Sequence, residues 1–114
     1  MPFPEPVRKL PYANLSGADV YVLDDGQNQV LFMEVPADRA PVTVPTHTHG
    51  VEWGVVVEGE IEMTLGDRKE RHPAGTTHLI PAGLPHSFRF QSGTSSIHYF
   101  RERRLSPDRL RPGG

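Results

Sequence analysis

Proline and glycine interrupt this chain so often that a helix of ordinary length has no room to form between them. The 114 residues include 12 prolines and 11 glycines, and the stretches between them are short and rich in valine, isoleucine, phenylalanine and tyrosine. Proline removes a backbone donor and clashes with the preceding helical turn, whereas proline and glycine both suit the tight turns that join short strands. This rhythm predicts an all-β sandwich or barrel of antiparallel strands with little or no helix. The length is that of one domain, enough to bury a hydrophobic core.

The strands can be placed roughly. Residues 18–25 and 28–36 read as a hairpin around Asp25-Gly26, and residues 37–50, punctuated by Pro36, Pro41 and Pro45, as an irregular edge segment. Residues 51–67 contain two strands. The first is apolar on both faces through Val55, Val56 and Val57; the second sets Ile61, Met63 and Leu65 against Glu60, Glu62 and Thr64. "RKERHPAG" reads as a charged connection, residues 76–90 as strand, turn and strand, and residues 95–103 as the last strand. The organisation expected is a proline-rich arm at 1–12, with four prolines and no helix, a barrel at 13–100 and an arginine-rich tail at 101–114. The tail, with five arginines against two acids, reads as a solvated extension. The arm and the two-faced apolar strand together favour a homodimer.

Composition narrows the function classes. A formal net charge of −2 gives no reason to expect a nucleic-acid partner, and the absence of cysteine excludes disulfides and thiolate metal sites. No apolar run approaches the roughly 18 residues of a membrane span, and the N-terminus lacks an apolar core of signal-peptide length. A cytoplasmic, soluble protein is expected.

The chemistry lies in the histidines, of which there are six. In "PTHTHGVEW", His47 and His49 are two apart, so on an extended segment they project from one face and can grip one ion. The bland reading is a solvated loop. "GTTHLIPAGLPH" places a Pro81–Gly83 turn before a strand on which His86, Phe88 and Phe90 share a face. That puts His86 at the floor of an apolar pocket; the competing reading is a core histidine satisfied by a backbone carbonyl. His78 and His98 are further candidates for the interior, His72 reads as solvated, and Trp53 and Met63 read as core or pocket wall.

Taken together, these stretches resemble the two motifs of the cupins, small antiparallel jelly-roll barrels (double-stranded β-helices). His47, His49, Glu52 and Gly59 stand for the first motif. Gly75, Pro81, Gly83 and His86 stand for the second, with Phe90 where the family has asparagine. The resemblance implies one divalent metal ion (Fe, Mn, Zn, Ni or Co) held by His47, His49, Glu52 and His86. A small-molecule ligand would then lie against Trp53, Met63, His78, Phe88, Phe90 and His98. The first motif is one residue short between His49 and its carboxylate. Counting forward from His49 puts Trp53 in the ligand position; counting back from Gly59 puts Glu52 there. The run from Glu52 to Gly59 is uninterrupted strand, and Gly50 can absorb a missing residue, so Glu52 is the ligand expected. The alternative is a three-histidine site with water. The function implied is an oxygenase, isomerase or lyase of unidentified substrate with no catalytic residue assignable, or else a non-catalytic ligand-binding or metal-sensing module.

Overall fold

The computed structural model describes residues 3–113. Ten strands form two antiparallel sheets among these residues. The larger has the order β1-β2-β3-β10-β5-β8, built from β1 (Tyr12–Leu15), β2 (Ala18–Asp24), β3 (Gln29–Val35), β10 (Thr94–Phe100), β5 (Glu52–Glu58) and β8 (Thr77–Ile80). The smaller has the order β4-β9-β6-β7, from β4 (Val42–His47), β9 (His86–Phe90), β6 (Glu60–Leu65) and β7 (Arg68–Pro73). From β3 to β6 and again from β7 to β10 the chain crosses sheets at each step. This winding is the jelly roll that the resemblance implies, within the all-β class that the turn rhythm predicts.

Strand alternation then builds the core. Ile61, Met63 and Leu65 on β6 and Phe88 and Phe90 on β9 face Val20, Val22, Leu31 and Val56 from the other sheet. Each such side chain contributes roughly 1.5–3 kcal/mol on burial. The first hairpin closes where expected, with Gly26 at φ 95° and Asp25 Oδ1 accepting from the Gln27 and Asn28 N–H groups at 2.9 and 2.7 Å.

Several expectations need correction. In the N-terminal segment, of which residues 1 and 2 lie outside the described part, Glu5–Arg8 is a single helical turn. Prolines did not forbid it because Pro6 sits in the first turn, where no intrahelical donor is needed. Phe3 packs edge-on against Phe32 at 5.6 Å, so this segment folds onto the barrel. The edge segment before the histidines contains a true strand, β4, whose register with β9 shifts between Val44 and His47. The charged connection is strand β7, paired with β6 along its whole length; charges are what an exposed sheet edge tolerates.

The C-terminal segment is not a solvated extension. Leu105 is buried in the core, and the fully buried Gln29 side chain clamps it, donating to the Leu105 carbonyl at 2.6 Å and accepting from its N–H at 2.9 Å. Further on, Arg111 pairs with Tyr12 through two backbone hydrogen bonds. The clamp depends on one glutamine, a residue type with no periodic signature.

Strand β5 is buried on one face only. Val56 points inward, Val57 outward, and the outer face carries a row made by Leu79, Trp53 and Tyr99 on adjacent strands. Leu79 is 61% exposed. Among the described residues no helix is long and apolar enough to cross a membrane.

Candidate metal centre

Both sheets contribute to one site. His47 ends β4 directly opposite His86, the first residue of β9. Glu52 opens β5 between Phe100 on β10 and Ile80 on β8. His49 lies in the connection 48–51, which is pinned from two sides: the Gly83 N–H donates to the His49 carbonyl at 2.9 Å, and the Gly50 N–H donates to Glu102 Oε1 at 2.6 Å. The residue missing from the first motif is missing from this connection, so the strand register survives. Glu52 is 1% exposed and faces inward, whereas Trp53, 38% exposed, faces outward and stacks on Tyr99 at 4.8 Å. Trp53 is therefore not a pocket residue; the pleat turns it to the other face.

The protonation pattern of His47, His49 and His86 follows from their neighbours. Nδ1 of His47 meets the Pro45 carbonyl at 2.8 Å, Nδ1 of His49 the Gly50 carbonyl at 2.6 Å, and Nδ1 of His86 the Leu84 carbonyl at 2.8 Å. A carbonyl oxygen only accepts, so each Nδ1 must carry the proton. A neutral ring then presents a bare lone pair at Nε2. His49 and His86 point these atoms at each other, 3.0 Å apart. Two lone pairs at that separation repel unless a cation or a proton lies between them. One ring nitrogen from each of His47, His49 and His86 falls within 4.8 Å of the others.

Glu52 completes the set. Its Oε2 accepts from His98 Nδ1 at 2.8 Å and from His78 Nε2 at 3.1 Å. Ser96 Oγ meets the far nitrogen of His98 at 2.8 Å, which lets the hydroxyl donate there and fixes the tautomer. Its Oε1 is buried without a hydrogen bond, 3.3 Å from His49 Nε2 and 4.0 Å from His86 Nε2. Burial alone would push this carboxyl up, but the surrounding imidazoles of His49, His78 and His98 outweigh it and hold it well below the usual carboxylate range. The same carboxylate raises His49 against the opposing effect of burial, while burial lowers His78 and His86. Glu52, His78 and His98 form a second cluster of potential ligand atoms, but there Nε2 of His78 and Nδ1 of His98 are already spent on Oε2, which leaves Nδ1 of His78 as the one nitrogen of that cluster without a partner. Three bare nitrogens and one orphaned carboxylate oxygen are left on the side of His47, His49 and His86, which is the donor set of a divalent metal ion.

Gly54 makes this arrangement fit. It pairs with His98 on one side and His78 on the other. A Cβ there would strike the Ile97 carbonyl and come within 2.7 Å of the His78 ring.

Residues 31–99 match the family model of the cupin domain. The chain is a cupin. No curated protein matches it. Among solved structures it is similar to KdgF from Halomonas sp., at 18% identity and TM-score 0.70, covering 82% of this chain and 86% of that one. It is also similar to an RmlC-like cupin from Shewanella frigidimarina, at 17% identity and TM-score 0.72, covering 84% and 86%. Oxalate decarboxylase of Bacillus subtilis is matched at 16% identity and TM-score 0.72 over 93% of this chain but only 31% of that one. At such identities these likenesses establish the fold.

Beside the donors the cupin barrel holds a cavity of about 130 Å³. Phe88, Phe90 and His98 line it, as the sequence predicts, together with Phe100 and Arg104, which the sequence did not single out. Met63 does not line it; its side chain is buried in the core from β6. His78 does not line it either, because it stands behind Glu52. His72 is not solvated: its side chain is 13% exposed, with Nε2 at 2.9 Å from Glu70 Oε1 and its ring 6.2 Å from that of His78. The larger surface grooves carry no histidine.

Without metal, a proton between His49 and His86 is what relieves the lone-pair contact. Metal binding must expel it, so calorimetry in buffers of different ionisation enthalpy should record release of about one proton near pH 6 and less as pH rises. Uptake of zinc with no proton release at pH 6 would contradict this reading.

Proposed function

We propose that this cupin binds one divalent transition-metal ion through His47, His49, His86 and Glu52 and acts on a small organic molecule in the adjoining cavity. The supporting observation is the pair of Nε2 atoms of His49 and His86 3.0 Å apart, each ring turned by a backbone carbonyl at Nδ1, beside an orphaned, buried carboxylate oxygen. Neutral nitrogens with one hard oxygen suit Fe, Mn, Zn, Ni or Co. A structurally similar oxalate decarboxylase of Bacillus subtilis has Mn(II) centres, which makes manganese one ion to test first. When bound, the ion supplies Lewis-acid or redox chemistry of the oxygenase, isomerase or lyase kind.

The chain's own residues do the positioning. Three backbone carbonyls orient the rings of His47, His49 and His86, His78 and His98 hold Oε2 so that Oε1 faces the donors, and Phe88, Phe90 and Phe100 give the cavity an apolar lining beside them. Beyond the donors, only His98 and Arg104 bring a polar side chain to the lining. With so few groups to move protons, a barrel that only holds a ligand or senses a metal is the second reading. Oxygen uptake by the Fe(II) protein with a candidate substrate supports the oxygenase form, and turnover unchanged under anaerobic conditions removes it.

Protein purified without a nickel column should contain about one ion per chain, and His86→Ala should abolish binding. Glu52→Ala should weaken it by about tenfold or more. Full occupancy in the His49→Ala/His86→Ala double variant would sink the site. The outer row of Leu79, Trp53 and Tyr99 further supports a homodimer through the larger sheet. Light scattering should give the dimer mass, reduced to the monomer by Trp53→Glu; a monomeric wild type would refute it.

A further inference from the structure

Metal ligation leaves one group in the cavity without a role. Arg104 follows the last strand in the returning C-terminal segment, half-buried, and lines the cavity. Its neighbours in sequence are all engaged elsewhere. Arg101 lies over Trp53 at 5.6 Å, Arg103 pairs with Asp24 at 2.9 Å, and Glu102 accepts from the Gly50 N–H. Arg104 lies over the Phe100 ring at 5.9 Å, and among the described residues no carboxylate pairs with it. Phe100 in turn packs edge-on against His49 at 5.3 Å, so the guanidinium stands one ring away from the donor set.

The charge balance of the cavity points to what would approach Arg104. Its lining contains one carboxylate, Glu52, which is already surrounded by imidazoles. A guanidinium stays charged at any pH at which the protein is folded. With a divalent ion in place, positive charge exceeds negative in a setting otherwise made of imidazoles and hydrocarbon. A neutral ligand would leave Arg104 without a carboxylate partner, whereas a carboxylate would pair with its fork through charge-assisted hydrogen bonds.

We propose that the ligand of this cavity is a small monocarboxylate, its carboxylate on Arg104 and its hydrocarbon body against Phe88, Phe90 and Phe100. This names the substrate class of the metal-dependent site and rests on that reading of the cavity. The volume of about 130 Å³ is close to that of an apolar cavity that holds benzene, so the whole ligand, carboxylate included, has on the order of six heavy atoms. Arg104 is then the residue that selects acids over neutral molecules of equal shape.

Butanoate and butanamide have the same size and differ in charge. Titrated by amide chemical-shift changes, the zinc-loaded wild type should bind butanoate about tenfold or more tighter than butanamide. The preference should persist in the metal-free protein, vanish in Arg104→Met and survive in part in Arg104→Lys, while zinc uptake stays as in wild type. Equal affinity for acid and amide in the wild type, a comparison that needs no variant, would overturn the proposal. So would an acid preference that Arg104→Met retains in the zinc-loaded protein, since zinc alone would then hold the carboxylate. If zinc fails to bind while the Arg104-dependent preference remains, the acid assignment stands and the metal reading falls.

Discussion

A carboxylate sealed inside a β-barrel is the constraint on which this structure depends. Glu52 is almost wholly removed from water, and a buried charge is costly unless hydrogen bonds or opposite charge compensate it. The barrel compensates one oxygen only. Oε2 takes two imidazole donors, and Oε1 takes none. That asymmetry gives the site its direction, because the uncompensated oxygen faces the side where His49 and His86 present bare nitrogens. A cation held there by the three histidines would satisfy Oε1 directly.

The jelly-roll winding makes that concentration feasible. Because the chain crosses between sheets at nearly every strand, residues close in sequence reach the site from opposite walls. His47 arrives on the smaller sheet and Glu52, five residues later, on the larger. On the larger sheet the polar side chains cluster around Gly54, whose missing side chain leaves room for His78 and His98 beside Glu52. The C-terminal segment closes the same end: Gln29 anchors Leu105, and that anchoring brings Arg104 to the cavity and Glu102 to the Gly50 loop.

Much of this was legible because it is periodic or locally constrained. Alternation on β6 and β9 gave the inward faces, and the Pro81–Gly83 turn gave the approach to His86. The contest between Glu52 and Trp53 was also decidable in principle, since strand register is stiff while a glycine-containing connection is not. What could not be read were contacts set by tertiary docking. The Gln29 clamp joins residues 76 positions apart, and nothing local marks Arg104 among five tail arginines as the one that turns inward. Trp53 and Val57 illustrate a subtler failure: an apolar run implies burial on both faces, yet the outer face of β5 is open. The helical turn at Glu5–Arg8 escaped because proline density argues against helix only beyond the first turn.

The account stands or falls on which nitrogens the ion meets. X-ray absorption at the zinc edge of the loaded protein reads the donors directly. The structure predicts about three imidazoles and at least one oxygen at about 2.0–2.2 Å, with an imidazole lost in His47→Ala. A spectrum with two imidazoles, unchanged in His47→Ala, would place the ion on Glu52, His78 and His98 and contradict the account.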